Sequence, residues 1–414
     1  MTDVPALTSA NVEPAHDLEC ERRRTSMRMI LVLSFGGSLR QWQEAGILTR
    51  EIEIYLQYLK RDLVDRLYIF SYAHDDDTGL IEAPESLRRR IVLLRPSRPL
   101  RTHLSRVLYS LSPRTLWAIR AKGIDVAKTN QVSGAWVALL LRLLGVRVFA
   151  RCGYLLSRHH WKKGHYAAFL VSYPLEWLLF AIADIASVTT EAAVESVRHR
   201  TGCGSRAFVA PTYVDTDVFR ADAAAKSIDD TVIFVGRLEA QKNVLNLVQA
   251  CRSSGMSLQI VGTGSLEPAV VALAAAIGAD VRIAHSMPNN RIAELFKSHK
   301  YFALPSAYEG LPKSLIEAMS SEMVCIGTNV PGIADLLTDG VTGYLCDGLD
   351  AASIARTIER ARADPSNVTI AKAARAFVLE RHSIRTYLER EHDAIERWVR
   401  PKIRIRRDAR KPTF

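Results

Sequence analysis

Thr231-Val232-Ile233-Phe234-Val235 runs into Gly236-Arg237-Leu238-Glu239-Ala240-Gln241-Lys242-Asn243. Each of the first five residues is β-branched or aromatic, so this segment reads as a strand of a buried sheet. It breaks at a glycine, which lets the backbone turn sharply, and the loop beyond holds two permanent cations, Arg237 and Lys242. Arginine offers a planar fork of donors and lysine a mobile point charge, a combination suited to a diphosphate. Two cations in a loop are also what a solvated surface turn looks like. The strand is legible here; the ligand is not.

The pattern repeats on both sides of this stretch. Downstream, strand-like runs at 257–261, 281–284, 301–304 and 324–327 are each followed by a helical pattern. Upstream, 29–34 (MILVLS) leads through Gly36 and Gly37 into an amphipathic stretch at 43–60. Further strands are expected at 67–71, 91–94 and 146–150, with 185–189 closing this sheet and a helix at 191–202. Strand and helix in alternation predict α/β architecture with parallel sheets covered on both faces. At 414 residues one core is not enough, and two doubly wound domains separated by a cleft are expected. The linker is placed at Ala210-Pro211. The expected layout is a disordered extension (1–26), a first domain (27–210), a second domain (211–380), a helix returning to the first domain (381–400) and a basic tail (401–414).

Ligands of such sheets sit beyond the carboxyl ends of the strands, so chemistry belongs in the loops there. After 257–261 comes Gly262-Thr263-Gly264-Ser265-Leu266, whose glycines expose backbone N–H groups at a helix start. After 301–304 comes Ala307-Tyr308-Glu309-Gly310-Leu311-Pro312-Lys313-Ser314-Leu315-Ile316-Glu317-Ala318-Met319. Gly310 permits an unusual turn, and Pro312 suits the first helical position. The helix N-terminus would then offer its free N–H groups to phosphate. Glu309 and Glu317 are eight positions apart, roughly 80° out of phase on a helix. They can act together only if the loop folds Glu309 back. A capped surface helix with two solvated acids is the alternative.

Taken in order, the three loops resemble the glycogen-synthase-like retaining glycosyltransferases, family 4 of the GT-B enzymes (glycosyl transferases group 1). The likeness is carried by Gly236-Arg237-Leu238 with Lys242-Asn243, Gly262-x-Gly264, and Glu309-Gly310 with Glu317-Ala318. Pro211-x-x-Val214-Asp215-x-x-x-Phe219 and Gly340-x-x-Gly343-Tyr344-Leu345 add to it. It extends over about Gly36 to Arg400 and is strongest after Ala210.

This resemblance implies transfer of a sugar from a nucleotide-diphosphate sugar, a co-substrate, to a glycan or lipid-linked acceptor, with no cofactor and no metal. Arg237 and Lys242 would hold the donor diphosphate and stabilise the leaving group. Glu317 would bind the ribose hydroxyls and Glu309 those of the transferred sugar, with the backbone at Gly310 and Leu311 serving sugar and phosphate. His285-Ser286-Met287 would lie against the nucleobase. Gly36 and Gly37 would belong to the first-domain loop that closes on the phosphates, alongside Gly236, Gly262 and Gly264 on the donor side. The departing phosphate would take the acceptor proton, so Glu309 is not assigned as a nucleophile, unlike the carboxylates of glycoside hydrolases. Relatives often place a histidine in the acceptor loop, whereas the segment 128–134 (KTNQVSG) has none. Asn130, Gln131 and Arg151 are the acceptor candidates that remain. In the linker Thr212 and Tyr213 stand where relatives often carry an Asn.

Composition narrows the alternatives. The 48% hydrophobic and 24% charged content is that of an ordinary globular chain, with a net charge of +11. The charge suits anionic partners, but no nucleic-acid motif accompanies it. Cys20, Cys152, Cys203, Cys251, Cys325 and Cys346 are scattered, as expected of reduced thiols in a cytoplasmic protein. The apolar stretch 166–185 is interrupted by Pro174, Glu176 and Asp184, and is expected to be a buried helix pair rather than a bilayer span. His74-Asp75-Asp76-Asp77 imitates a D-x-D metal signature and is read as a solvated loop. His159-His160 point apart and make a poor metal site. Leu100, Leu104, Val107, Leu108 and Leu111 share a helical face, with Arg101, His103 and Arg106 away from it. That helix either faces the core or docks peripherally on the anionic inner face of a membrane. A nicotinamide-dependent oxidoreductase is disfavoured, because 34–39 (SFGGSL) lacks G-x-G-x-x-G. A protein that only binds, epimerises or hydrolyses a nucleotide sugar remains the competing reading.

Overall fold

The computed structural model describes residues 27–153, 156–162, 164–201, 206–222, 228–285, 287–401 and 403. The expected N-terminal extension, Cys20, Cys203, Ser286 and all of the basic tail except Ile403 and Pro401 lie outside them. The chain divides into two compact units between Ala186 and Ser187.

The first sheet has seven strands in the order β3-β2-β1-β4-β5-β6-β7. These are β1 (Met27–Val32), β2 (Val64–Phe70), β3 (Ile91–Leu94), β4 (Val126–Thr129), β5 (Arg147–Cys152), β6 (Ile185–Val188) and β7 (Ala207–Val209). Strand β1 runs parallel to β2 on one side and to β4 on the other. Its Met29, Ile30 and Leu31 are all fully buried, as a strand covered on both faces requires. Two expectations need correction. Residues 185–189 do not close the sheet, because the three-residue strand β7 lies beyond β6. Lys128 and Thr129, taken for loop, are the end of β4. A strand of four residues containing a lysine gives no alternating or apolar run to recognise.

The amphipathic stretch at 43–60 is two helices, α1 (Leu39–Glu44) and α2 (Leu48–Lys60), parted by Gly46 at φ 67°. The apolar segment 156–182 forms α6 (Leu156–Lys162) and α7 (Tyr166–Ile182). The stretch 166–185, expected as a buried helix pair, is the single helix α7 running on to β6, and it is not buried: Leu170 and Val171 are about 70% exposed. Nor does α3 (His103–Leu111) face the core with its leucines. Leu104, Leu108 and Leu111 are exposed, and Ser110 is the buried residue. Between α3 and α6 lie α4 (Pro113–Ala121) and α5 (Trp136–Leu143).

The second sheet has six strands in the order β10-β9-β8-β11-β12-β13. They are β8 (Ile228–Val235), β9 (Ser257–Val261), β10 (Val281–Ala284), β11 (His299–Leu304), β12 (Val324–Thr328) and β13 (Tyr344–Cys346). All of its pairings are parallel. The helices following α8 (Glu191–Thr201) are α9 (Val244–Ser253), α10 (Glu267–Ile277), α11 (Asn289–Ser298), α12 (Lys313–Ser320), α13 (Ala351–Ala363), α14 (Asn367–Arg381) and α15 (Ile384–Trp398). One core joins Val232 and Phe234 of β8 to Leu315 and Met319 of α12 and Ile354 of α13. Strand order reverses between β8 and β11. In a doubly wound sheet the crevice at that reversal is where ligands bind.

Candidate donor site

The loops after β8 and β11 flank the reversal, and two bonds fix one to the other. Ala307 N–H donates to the Gln241 carbonyl at 2.8 Å, and Gln241 Nε2 donates to the Tyr308 carbonyl at 2.8 Å. Nothing in the local sequence marks either bond, since the partners of Gln241 lie 66 and 67 residues away. With the loops pinned, Lys242 Nζ lies 2.5 Å from Glu309 Oε1, and the two side chains are only 13% and 7% exposed. Asn243 follows Lys242 in the left-handed conformation, φ 54°, and donates from its side chain to the Leu349 carbonyl at 2.7 Å. That tie holds the start of α9 below the loop.

Glu309 precedes α12, and Glu317 lies within it, largely buried. The Lys313 ammonium stands 3.9 Å from Glu317 Oε1 and 5.5 Å from the centre of the Tyr213 ring. Pro312 is the cap of α12 rather than its first helical residue; end positions of this kind shift by one with hydrogen-bond geometry. Leu311 packs its side chain on the core. Each acid is therefore matched by a lysine, and neither is a solvated surface carboxylate.

The glycines do something different from what was expected of them. Gly310 and Gly236 have no left-handed φ. Around Gly310 an added Cβ would meet nothing within 4 Å, while at Gly236 it would approach the Phe234 ring at 3.2 Å. The demanding positions are Gly262, at φ 152°, and Gly264. A Cβ there would collide with the Gly236 carbonyl and with the Leu238 backbone respectively. Leu238 N–H donates to the Thr263 carbonyl, and the Leu238 carbonyl accepts from Leu266 N–H. The G-x-G motif thus lets the loop after β9 lie directly against the loop after β8. Glu239 completes this contact by accepting from Ser265 N–H and Oγ, and those bonds hold its carboxyl below its usual range.

Arg237 is exposed on the same loop. His285 Nε2 lies 2.7 Å from Glu267 Oε1 at the start of α10, and Met287 packs against the core. Cys152, Cys251, Cys325 and Cys346 are buried, and burial pushes the Cys251 thiol up to about 12.

The first-sheet candidates gather at that sheet's own reversal, between β1 and β4. Gly36, at φ 80°, lies beside the Arg106 guanidinium, while Gly37 N–H donates to the Ser34 carbonyl at 2.8 Å. Arg151 Nη1 donates to Asn130 Oδ1 at 3.0 Å and pairs with Glu51 at 3.3 Å. Gln131 Oε1 accepts from Gly153 N–H. The D-x-D decoy is solvated at Asp75 and Asp76, as expected, but not at Asp77. Asp77 is buried against Arg40 at 3.2 Å, and Asp76 caps the turn through Thr78. Thr212 and Tyr213 meet the C-terminal helices: His382 Nδ1 donates to the Thr212 carbonyl at 2.9 Å, and the Tyr213 ring packs on that of Tyr387, tilted by 47°.

Comparison with known proteins agrees with this geometry. The family described as glycosyl transferases group 1 matches residues 215–377, the segment that holds the whole β8 to β13 site. A D-inositol 3-phosphate glycosyltransferase of Arthrobacter is 29% identical over 52% of this chain and 56% of its own length. A lipopolysaccharide 1,2-N-acetylglucosaminetransferase of Salmonella typhimurium is 26% identical over 41% and 49%. The chain thus spans about half the length of these curated relatives. Among solved structures, Anabaena HepE in complex with UDP and glucose superimposes with a TM-score of 0.67 at 16% identity, over 89% of this chain and 99% of that one. Sucrose-phosphate synthase of Thermosynechococcus elongatus gives 0.67 at 18%, over 89% and 98%. Two doubly wound parallel sheets give the chain a GT-B fold, and its second sheet lies within the segment similar to glycosyl transferases group 1.

Proposed function

We propose that this chain transfers a glycosyl group from a nucleotide-diphosphate sugar to a glycan or lipid-linked acceptor, with retention of configuration. The observation that carries the reading is the sequestered Lys242–Glu309 pair at the reversal of the second sheet. It places a cation for phosphate and an acceptor for sugar hydroxyls side by side. The matched relatives named as glycosyltransferases favour the same chemistry.

In this mechanism the donor diphosphate competes with Glu309 for the Lys242 ammonium, while Arg237 adds a second cation. The anomeric carbon–oxygen bond breaks, and its electron pair leaves on the phosphate oxygen, where both cations stabilise it. The acceptor oxygen bonds to the anomeric carbon on the same face, and its proton passes to the departing phosphate. Glu309, released from Lys242, accepts hydrogen bonds from the sugar, and Glu317 accepts them from the ribose. Asn130, Gln131 and Arg151 are assigned to the acceptor. The charge role lies with Arg237, Lys242 and the start of α12, so the reaction is expected to survive chelation. Cell-surface polysaccharide or glycolipid assembly in the cytoplasm is the proposed setting.

Thermal shift against UDP-, GDP- and ADP-sugars identifies the donor, and transfer of labelled sugar with and without EDTA follows. Stabilisation by one nucleotide sugar and an α-linked product from an α-linked donor are expected. Hydrolysis or epimerisation of the donor, with no transfer to any acceptor, would replace this reading by the competing one.

A further inference from the structure

We infer that the α6–α7 hairpin of the first unit is a lipid-contacting element that seats this unit on an anionic bilayer surface. Helix α7 has the reverse of normal amphipathic order. Its inward side carries Ser172 and Glu176 among Leu179 and Phe180, all buried. Its outward side shows Tyr166, Leu170, Val171, Trp177 and Leu178. A surface helix of a globular protein does the opposite.

The inward polar groups are engaged within the hairpin. The Glu176 carboxylate accepts from Ser157 N–H at 3.1 Å and from Ser157 Oγ at 3.0 Å, in the first turn of α6. Ser172 Oγ and His160 Nδ1 are 3.1 Å apart. The one acid of the helix is thereby spent on holding the hairpin together, and the outer face is left apolar. Such a face calls for an apolar partner. None of the described helices is long and apolar enough to cross a membrane, so the hairpin would lie along the interface. Trp161, Tyr166 and Trp177 are exposed on it, the residue types favoured at headgroup depth.

The occupant follows from charge. Residues 86–175 contain 17 Lys and Arg against a single acid, Asp125, so the chain's net charge of +11 is concentrated here. Helix α3 packs on α4, α4 on α5, and α5 on α7. Exposed cations accompany this series, Arg98, Arg101, Arg114 and Lys122 among them, and so do Leu104, Leu108 and Trp117. A second copy would bring the same excess of cations and be repelled. Anionic headgroups over acyl chains match both the charge and the apolar face. This inference stands apart from glycosyl transfer and is read by binding alone.

The test is sedimentation of the full chain with phosphatidylcholine vesicles, with and without phosphatidylglycerol, beside the double variant L170E/V171E. The wild type should pellet with the anionic vesicles. The variant should bind about tenfold less or weaker still, with an unchanged circular dichroism spectrum and melt. Brominated lipid should quench wild-type tryptophan emission more strongly than that of W161F/W177F, which keeps Trp117. Failure to bind anionic vesicles at low salt would overturn the inference. Equal binding by L170E/V171E would too, as would a dimer in sedimentation velocity that those substitutions dissociate.

Discussion

Lys242 Nζ and Glu309 Oε1 meet at 2.5 Å although 67 residues separate them in the chain. The contact exists because β8 and β11 are neighbours in the sheet while their following helices depart to different sides. Two backbone-directed bonds of Gln241 then fix the distance between the loops. With so little exposure, each charge depends on the other to offset its desolvation.

That dependence predicts unequal variants. Lys242→Ala strands a carboxylate that is 7% exposed and should destabilise the fold by up to about 3 kcal/mol. Glu309→Gln leaves an amide oxygen for the ammonium and should cost about 1 kcal/mol. Both should lower turnover by at least about tenfold, since each removes a group from the proposed donor site. Urea unfolding and donor turnover measure the two effects. Near-normal transfer by either folded variant would remove its assigned role.

A second prediction contrasts two glycines of the same site. Gly264→Ala drives a Cβ into the Leu238 backbone, so the loops must part, at a cost of about 2 kcal/mol or more. Gly310→Ala meets nothing within 4 Å and should alter stability by less than about 1 kcal/mol. If that open space receives the donor, Gly310→Ala will still weaken nucleotide-sugar binding. Calorimetric titration beside thermal melts separates the two, and unchanged affinity in Gly310→Ala would place the ligand elsewhere.

The contrast shows what the sequence could tell. The strand at Thr231–Val235 and the order of the three loops were legible, because buried parallel strands are written as continuous apolar runs. That Glu309 and Glu317 share no helical face was legible too, from helical phase alone, and Glu309 indeed precedes α12. The reason for Gly262 and Gly264 was not, since a collision with a backbone 26 residues away leaves no local trace. Gln241 and Lys313 escaped for the same reason: their partners are set by the sheet order. On α7 the composition was read correctly and its direction wrongly, because hydrophobicity alone does not say whether an apolar face turns inward.

Glu176 offers a third test, within the hairpin itself. Its carboxylate is buried and satisfies the first turn of α6 through Ser157. Glu176→Ala removes a buried acceptor for two donors and should lower stability by about 1–3 kcal/mol. Glu176→Gln retains one acceptor oxygen and should recover part of that loss. Hydrogen exchange across Leu156–Lys162 should speed up in Glu176→Ala. Unchanged protection there would mean that the carboxylate does not hold α6 in place.

The last prediction concerns pH. His382 donates to the Thr212 carbonyl, yet burial lowers its affinity for a proton, and Arg390 and Arg381 add to the depression. Its folded value therefore lies below the ordinary 6.5 that the unfolded chain shows. Between the two values the unfolded state binds more protons, so stability rises with pH across that window. The contribution is complete above about pH 6.5 and is lost as pH falls through the folded value. One such group gives a slope of at most about 1.4 kcal/mol per pH unit. Urea unfolding of wild type and His382→Gln at a series of pH values from neutral downward isolates it, because glutamine can still donate to Thr212 but does not titrate. The variant should show the shallower acid decline. Parallel declines in the two proteins would assign the acid sensitivity to other groups and leave His382 as a neutral tie between Thr212 and the start of α15.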